Sequence, residues 1–220
     1  MDKKVLRDIS YGMYFVSSNY EGKYSGCVIN TLCQITSKDI IVSISLNKDN
    51  YTNETIKNSR KFGVSIISND TKKDVIGKFG YYSSRDTDKF DGINYEMVDG
   101  VPVILEDVSG YLVCEVINIV DCGTHDIFIA KVIECKKIND GIPMTYKYYH
   151  ENLKGVSPKN APTYVDVFES NNNKGNKYRC KICGFVYDEN KEKINFEELG
   201  NDFKCPLCGA GLEYFEKVDK

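Results

Sequence analysis

Two short stretches near the C-terminal end, YRCKICG at residues 178–184 and FKCPLCG at residues 203–209, follow one pattern. Each runs aromatic, basic, Cys, any residue, aliphatic, Cys, Gly. Two residues between the cysteines let both sulfurs reach one metal ion, and the Gly supplies the positive φ that such a tight turn needs. Two turns of this kind facing each other make a tetrahedral four-sulfur site, which suits zinc or a single iron. The predicted ligands are Cys180, Cys183, Cys205 and Cys208.

The surroundings of these cysteines bear on the choice between zinc and iron. A zinc module that binds nucleic acid usually has a basic face, but residues 171–220 contain as many Asp and Glu as Lys and Arg. Aromatic side chains can form most of so small a core and exclude water from the metal, which favours an electron-transfer iron site. The aromatic residues are Tyr178, Phe185, Tyr187, Phe196, Phe203, Tyr214 and Phe215.

The composition of the whole chain excludes several classes of protein. With 220 residues, 41% hydrophobic, and a net charge of −3, the chain can fold around a core and lacks the positive charge expected for nucleic-acid binding. No apolar run approaches the ~18 residues of a membrane span, and the charged N-terminus is unlike a signal peptide. We therefore expect a cytoplasmic protein with reduced cysteines. Five further cysteines lack metal-ligand spacing and are predicted to be ordinary buried or half-buried thiols: Cys27, Cys33, Cys114, Cys122 and Cys135.

The chain divides into two predicted domains. Residues 169–176 are rich in Asn, Lys and Gly, a composition typical of a flexible linker between a domain of residues 1–168 and one of residues 177–220. In the first domain, short β-branched or aromatic runs predict strands at 11–17, 24–30, 40–46, 62–67, 111–120 and 127–134. Two helices are predicted, at 52–59 with caps around Asn50 and Thr52, and at 72–79 after the capping candidates Asn69 and Asp70. Many short strands and few helices favour a mainly β barrel.

Two polar clusters in the first domain have the chemistry of a binding site. Neither G-x-G-x-x-G nor G-x4-G-K-[ST] occurs, so a Rossmann or P-loop nucleotide site is disfavoured. The second cluster, at residues 81–90, combines hydroxyls with Arg and Lys, as a phosphate site would, although a solvated turn has the same composition. The first cluster could equally be the end of an edge strand. It contains Asn30, Thr31, Gln34, Thr36 and Ser37.

Both domains resemble known families. Residues 178–188, 203–209 and 213–216 resemble the two metal-binding turns and the closing strand of rubredoxin, although the segment between the turns is shorter and Phe203 replaces the usual Trp. Residues 8–165 resemble the flavin reductase-like, FMN-binding split-barrel family. The motifs that carry this resemblance are YGMY at 11–14, NT at 30–31, QITS at 34–37, SLNK at 45–48, FGY at 79–81, SSRDTDKF at 83–90, GTH at 123–125, PMTY at 143–146, YYH at 148–150 and APTY at 161–164.

The resemblance implies a fold, two cofactors and a set of residues around them. The fold is a Greek-key split β-barrel that binds FMN, followed by a rubredoxin-like domain with one iron per chain, or zinc in recombinant material. The family is usually a homodimer. The resemblance places Asn30 and Thr31 at the isoalloxazine edge, and Gln34, Thr36 and Ser37 on the ribityl-phosphate side. By the same resemblance, Asn47 and Lys48 close the site from the next strand. The phosphate is held by Ser83, Ser84, Arg85 and Lys89. The resemblance makes His125 the candidate catalytic residue, as a proton donor to the flavin.

Together the two cofactors imply an electron-transfer protein. FMN accepts a hydride and an iron–thiolate site exchanges single electrons, so their combination joins two-electron to one-electron chemistry. The expected donors are NAD(P)H or a rubredoxin reductase, and the expected acceptor is a flavodiiron oxygen or nitric oxide reductase or another redox protein. Neither nucleic acid nor membrane is an expected partner.

Two other functions are consistent with the same sequence. One is an NAD(P)H:flavin oxidoreductase whose FMN exchanges as a substrate, with the metal module peripheral. The other is a binding protein that carries a zinc ribbon on a barrel without a cofactor. Retention of FMN during gel filtration distinguishes the electron carrier from the first, and the metal content distinguishes it from the second.

Overall fold

The computed structural model describes residue 5 and residues 8–153, 155–156, 161, 176–192 and 194–218. We call residues 8–156 the barrel domain and residues 176–218 the cysteine module. The predicted domain boundary at residue 168 and all of the predicted linker except Asn176 lie outside the described residues, as does most of the APTY motif at 161–164.

The barrel domain is built on seven antiparallel strands. In order across the sheet they are β2 (Lys23–Ile29), β1 (Tyr14–Tyr20), β5 (Lys61–Ile67), β8 (Val108–Asp121), β9 (His125–Lys137), β4 (Ile41–Asn47) and β3 (Cys33–Gln34). The six strands predicted from the sequence are present. The two-residue β3 was not predicted, and neither was the separate hairpin of β6 (Tyr95–Val98) and β7 (Val101–Ile104).

The sheet wraps around an apolar core, and two further buried clusters lie against it, one with helix α2 (Lys73–Tyr81) and one with the hairpin of β6 and β7. Alternate residues of β4 are buried, as period-2 patterning requires when one face of a strand points inwards. Side chains from β1, β2, β4, β5, β8 and β9 meet in a single cluster with Ile56. Its largest fully buried members include Phe62, Phe128 and Ile44. The prediction of a mainly β split barrel is therefore confirmed.

Three helices pack on the barrel. Helix α1 (Tyr51–Ser59) begins as predicted, because the Asn50 side chain accepts a hydrogen bond from the Thr52 amide. Helix α2 (Lys73–Tyr81) begins after Lys72 without a side-chain cap, so the predicted capping by Asn69 and Asp70 is wrong. Helix α3 (Tyr146–Glu151) was not predicted, since its six residues are too few to show a helical period.

The cysteine module contains a three-stranded sheet over an aromatic core. The strand order is β11 (Val186–Asp188), β10 (Lys177–Cys180) and β12 (Phe215–Lys217). The rings of Tyr178 and Phe196 stack with centroids 4.0 Å apart, and Phe203 and Phe215 complete the cluster at 5.8 Å from each other. Tyr214, which the sequence placed with these aromatic residues, is 43% exposed. A small core of stacked rings thus supports the four cysteines.

The five remaining cysteines divide into two classes. Cys27 and Cys114 are buried in the barrel, as predicted, whereas Cys33, Cys122 and Cys135 are exposed, so the prediction of buried or half-buried thiols is wrong for these three. Among the described residues, no helix is both long and apolar enough to cross a membrane.

Candidate metal centre and adjoining cavity

The four predicted metal ligands meet in one buried cluster. The sulfurs of Cys180, Cys183, Cys205 and Cys208 all lie within 4.8 Å of one another. Two of the six sulfur pairs, Cys180–Cys208 and Cys183–Cys205, are 3.7 Å and 3.5 Å apart. A tetrahedral ion with metal–sulfur bonds of about 2.3 Å requires sulfurs about 3.8 Å apart. The donor set and its spacing therefore fit one iron or zinc ion.

The backbone of the two cysteine turns explains why the sulfurs converge. We call residues 180–184 the first knuckle and residues 205–209 the second knuckle. In the first, the Gly184 amide donates to the Cys180 carbonyl at 2.8 Å, and Gly184 has φ +77°. In the second, the Gly209 amide donates to the Cys205 carbonyl at 2.9 Å, and Gly209 has φ +73°. Glycine adopts this left-handed conformation without steric cost, so both turns close.

A cavity of about 610 Å³ lies beside the first knuckle. This volume is within the range of roughly 300–1,000 Å³ that is usual for small-molecule and cofactor sites. One wall belongs to the cysteine module and contains residues of the first knuckle, including Cys180, Cys183 and Gly184. The opposite wall belongs to the barrel domain and combines apolar side chains such as Met13 and Ile76 with tyrosines and amides. This mixture of flat aromatic, apolar and polar groups fits a flavin.

Five of the predicted flavin-site residues line the cavity: Asn30, Thr31, Asn47, Ser83 and His125. Asn30 and Thr31 follow the end of β2, and the Thr31 hydroxyl donates to the Ser45 carbonyl on β4 at 2.8 Å. Asn47 and His125 are direct neighbours in the pairing of β4 with β9. The His125 ring Nδ1 lies 2.9 Å from the Thr124 hydroxyl. Strand pairing thus brings together Asn47 and His125, which are 78 positions apart in the sequence.

Three predicted residues on the segment around β3 lie away from the cavity lining. Gln34 and Ser37 are exposed, and the Gln34 amide donates to the Thr36 carbonyl at 3.0 Å. The Thr36 hydroxyl donates to the Asp39 carbonyl at 3.0 Å and accepts from the Ile41 amide. In the described chain these polar groups therefore hold the turn before β4.

The four other predicted residues also lie outside the lining. The Lys48 ammonium pairs with Asp121 at 2.6 Å. Arg85 pairs with Glu54 at 3.0 Å, and its guanidinium stands 5.3 Å from the ring centroid of Tyr51, which does line the cavity. Arg85 is therefore one side chain away from the cavity, beside the start of α1.

The last two of these residues, Ser84 and Lys89, converge on the backbone of Gly26 in β2. The Ser84 hydroxyl accepts from the Gly26 amide at 3.1 Å, and the Lys89 ammonium donates to the Gly26 carbonyl at 2.8 Å and to the Phe79 carbonyl at 3.0 Å. Burial lowers the pKa of Lys89 to about 8. The two side chains thus attach the segment after α2 to the barrel.

A buried carboxylate lies behind the cavity wall, next to His125. Burial by itself raises the pKa of Asp126, but the Lys57 ammonium at 2.6 Å and the Asn53 amide at 3.0 Å outweigh it and hold that pKa below its usual value. Asp126 is therefore ionised at neutral pH, and it fixes the start of β9 against α1.

The sequence analysis gave no site role to the tyrosines of the cavity, although four of them stand in the cluster at residues 81–90 or in the family motifs. The five tyrosines are Tyr51, Tyr81, Tyr82, Tyr146 and Tyr149. The Tyr81 and Tyr149 hydroxyls lie 2.7 Å apart, and burial raises the pKa of both, so both are protonated at neutral pH. A chain with 16 tyrosines gives no signal that these five share one wall. Only the packing of α1, α2 and α3 against the barrel brings them together.

Family models match both parts of the chain. The model of the flavin reductase like domain matches residues 6–157, and the model of rubredoxin matches residues 177–215. These ranges contain the barrel strands and the four cysteines, respectively. The two predicted family resemblances are therefore confirmed, and with them a flavin and one iron site.

Individual relatives agree with this pair of domains. The high molecular weight rubredoxin of Moorella thermoacetica is 37% identical over 99% of this chain and 100% of that protein. The ferric-chelate reductase (NAD(P)H) of Archaeoglobus fulgidus is 35% identical over 76% of this chain and 99% of that protein. The crystal structure of flavoredoxin from Methanosarcina acetivorans shares the barrel fold, with a TM-score of 0.54 and 20% identity over 61% of this chain and 74% of that chain. The chain is thus a member of the flavin reductase-like family that carries a C-terminal rubredoxin domain.

Proposed function

We propose that this protein passes electrons from a two-electron donor through FMN to its own iron site, and from there to a redox acceptor protein. The observation that carries the proposal is the cavity of about 610 Å³ whose walls come from both domains. Asn30, Asn47 and His125 line one side, and Cys180 and Cys183 line the other. Two metal ligands are therefore part of the wall of the site that fits the flavin, so no protein layer separates the two centres.

The residues that line the cavity have roles that follow from their chemistry. FMN bound here supplies hydride acceptance and release of single electrons. Asn30, Thr31 and Asn47 offer amide and hydroxyl groups to the polar edge of a flavin ring. Ser83 lines the cavity, as does Tyr51 at the start of α1, and Arg85 lies one contact further out against the Tyr51 ring. A helix N-terminus, a hydroxyl and a guanidinium form a favourable environment for the phosphate group.

His125 is the residue that we assign to proton transfer. It is half-buried, lines the cavity and has its Nδ1 held by the Thr124 hydroxyl, which leaves Nε2 as the ring atom for exchange with a bound flavin. The direct contacts of Gln34, Thr36, Ser37, Lys48, Ser84 and Lys89 with FMN stay predictions. We also propose that the protein is a homodimer. The exposure of Gln34 and Ser37 in the single chain is consistent with this proposal.

The partners follow from the two kinds of centre. NAD(P)H or a rubredoxin reductase is the proposed donor, and a flavodiiron oxygen or nitric oxide reductase is the proposed acceptor. A rubredoxin domain serves electron exchange with other proteins, which supports a protein acceptor. We place this reaction in the cytoplasm, where reduced thiols persist and four cysteines can keep their metal.

Removal of the iron site tests the proposed route. We compare the wild-type protein with Cys208→Ala in anaerobic stopped-flow experiments with NADH, and follow the flavin and iron–thiolate absorption bands and the reduction of a flavodiiron protein. We expect the variant to keep flavin reduction and to lose delivery to the acceptor. Cys135→Ala, which removes an exposed thiol outside the cluster, is the matched control. Delivery at the wild-type rate by Cys208→Ala would contradict the proposal.

A second function has one observation in its favour. The ferric-chelate reductase of Archaeoglobus fulgidus aligns over 99% of its length with only 76% of this chain. This relative therefore has no counterpart to much of the rest of this chain. The alternative for this protein is therefore an NAD(P)H:flavin oxidoreductase with exchangeable FMN and a peripheral metal module. Gel filtration of the FMN-loaded protein separates the two: an electron carrier retains FMN, and an exchanging reductase loses it.

A further inference from the structure

The second knuckle lies against the barrel domain at one side of helix α2. Among the described residues, the atoms nearest to a side chain that would be added at Gly77 all belong to this knuckle. They are the carbonyl oxygen and carbon of Leu207 and the Cα of Cys208. A Cβ at position 77 would overlap the Leu207 carbonyl oxygen. The absence of a side chain at Gly77 thus allows the backbone of the metal-binding turn to reach the helix.

The glycine at position 77 is not explained by the barrel domain itself. Gly77 is buried in the middle of α2, where glycine destabilises a helix by roughly 1 kcal/mol relative to alanine. No barrel atom stands among the three nearest neighbours of the added Cβ. Gly80, in the same helix, meets only Val28, at an ordinary contact distance of 3.7 Å. The close approach at Gly77 therefore concerns the cysteine module alone.

A hydrogen bond and apolar contacts accompany this close approach. The Tyr82 hydroxyl donates to the Cys208 carbonyl at 3.0 Å, directly from the end of α2 to a residue that holds the metal. Tyr81, Tyr82 and Val156 pack against the cluster that contains the four cysteines and Leu207. Leu207, at the tip of the second knuckle, is only 3% exposed. The contact thus combines shape, one hydrogen bond and an apolar surface.

We propose that Gly77, Tyr81 and Tyr82 form a docking surface for the second knuckle of the same chain, and that the docked and released positions serve different steps. In the docked position the four cysteines are between 1% and 9% exposed, and the first knuckle closes the cavity wall. In this position the iron centre lies next to the flavin site, and the barrel domain shields it from an external protein. Delivery of an electron to an acceptor therefore requires the module to leave α2. This division of steps rests on the proposed function, but the docking surface itself does not.

Matched glycine substitutions in α2 test the docking surface. We measure small-angle X-ray scattering of the full-length, iron-loaded protein as Gly77→Ala, Gly77→Gln and Gly80→Ala. Gly77→Ala should lower the ratio of docked to released molecules by about tenfold, because the new methyl group meets backbone atoms of the second knuckle. The radius of gyration should rise, and rise further in Gly77→Gln. Gly80→Ala should keep the wild-type value.

The same variants show whether an effect comes from docking or from misfolding. Iron per chain and the circular dichroism of all three variants should match the wild type, because a Cβ at Gly77 has no barrel atom among its three nearest neighbours and a Cβ at Gly80 meets only Val28, at 3.7 Å. An unchanged radius of gyration in both Gly77 variants would overturn the docking surface. If the radius rises but NADH still reduces the iron at the wild-type rate, docking stands and the assignment of electron transfer to the docked position is wrong.

Discussion

The two knuckles of the metal site have the same local structure and different surroundings. In each, the first Cys receives a hydrogen bond from the closing Gly, 2.8 Å at Gly184 and 2.9 Å at Gly209, and the glycine φ values are +77° and +73°. The first knuckle lines the cavity beside the barrel. The second lies on α2, at Gly77, and accepts the hydrogen bond from Tyr82.

This difference shows how one repeated motif can serve two purposes. The spacing of the cysteines and the following glycine build the metal site symmetrically, since both turns need only local backbone geometry. The barrel breaks that symmetry, because one turn meets the wall of a cavity and the other meets the flank of a helix. We therefore expect changes to the ligands and glycines to act alike in both knuckles, and changes at the domain contact to act on one.

Loss of a ligand should have the largest effect, and an equal one in both knuckles. Cys183→Ala and Cys205→Ala should each lower the iron content from about one per chain towards zero, because three sulfurs no longer complete the tetrahedral site. Metal analysis and the iron–thiolate absorption measure this loss, with Cys135→Ala as the control. Retention of iron by one of the two variants would show that the knuckles are unequal as ligands.

Loss of a closing glycine should have an intermediate effect. Gly184→Ala and Gly209→Ala force a side chain into the left-handed conformation, which costs about 1–2 kcal/mol. An added Cβ meets only Val156 at 3.7 Å in the first case and nothing within 4 Å in the second, so backbone strain dominates in both. The midpoint of thermal bleaching of the iron band should fall by a similar amount in each variant.

A clear difference between the two glycine variants would contradict this expectation. A larger loss for Gly184→Ala would mean that its contact with Val156 is tighter in solution than the 3.7 Å recorded here. Gly80→Ala, at a glycine in a helix of the barrel domain, should leave the iron band unchanged and serves as the control.

Loss of the hydrogen bond between Tyr82 of the barrel domain and Cys208 of the cysteine module should have the smallest effect and act on the second knuckle alone. Tyr82→Phe removes the donor to the Cys208 carbonyl, a bond worth about 1 kcal/mol, and should lower the docked-to-released ratio by a factor of about five. Tyr111→Phe is the matched control, because the Tyr111 hydroxyl donates to the Glu134 carboxylate within the barrel domain, away from the cysteine module. X-ray scattering should separate the two variants, and equal curves would contradict the role of Tyr82.

The sequence predicted the strands of the barrel and the metal ligands well, and the cavity only in part. Strand ends agree within three residues, since burial on one face imposes a local pattern such as that of Ile41–Asn47. The hairpin of β6 and β7 was missed, because β6 is largely exposed and lacks alternation. Ser84 and Lys89 show why site residues are harder: their partner is the backbone of Gly26, about 60 residues away, which no local pattern reveals.

By itself the sequence determined the four sulfur ligands, the glycines that close their turns and the division into two domains. These features depend on spacing and composition within a few residues. Only the tertiary structure decided which knuckle faces the cavity, which tyrosines line it and why α2 contains a glycine at position 77. These depend on atoms from distant segments: a helix glycine looks merely unfavourable until the Leu207 carbonyl is found against it.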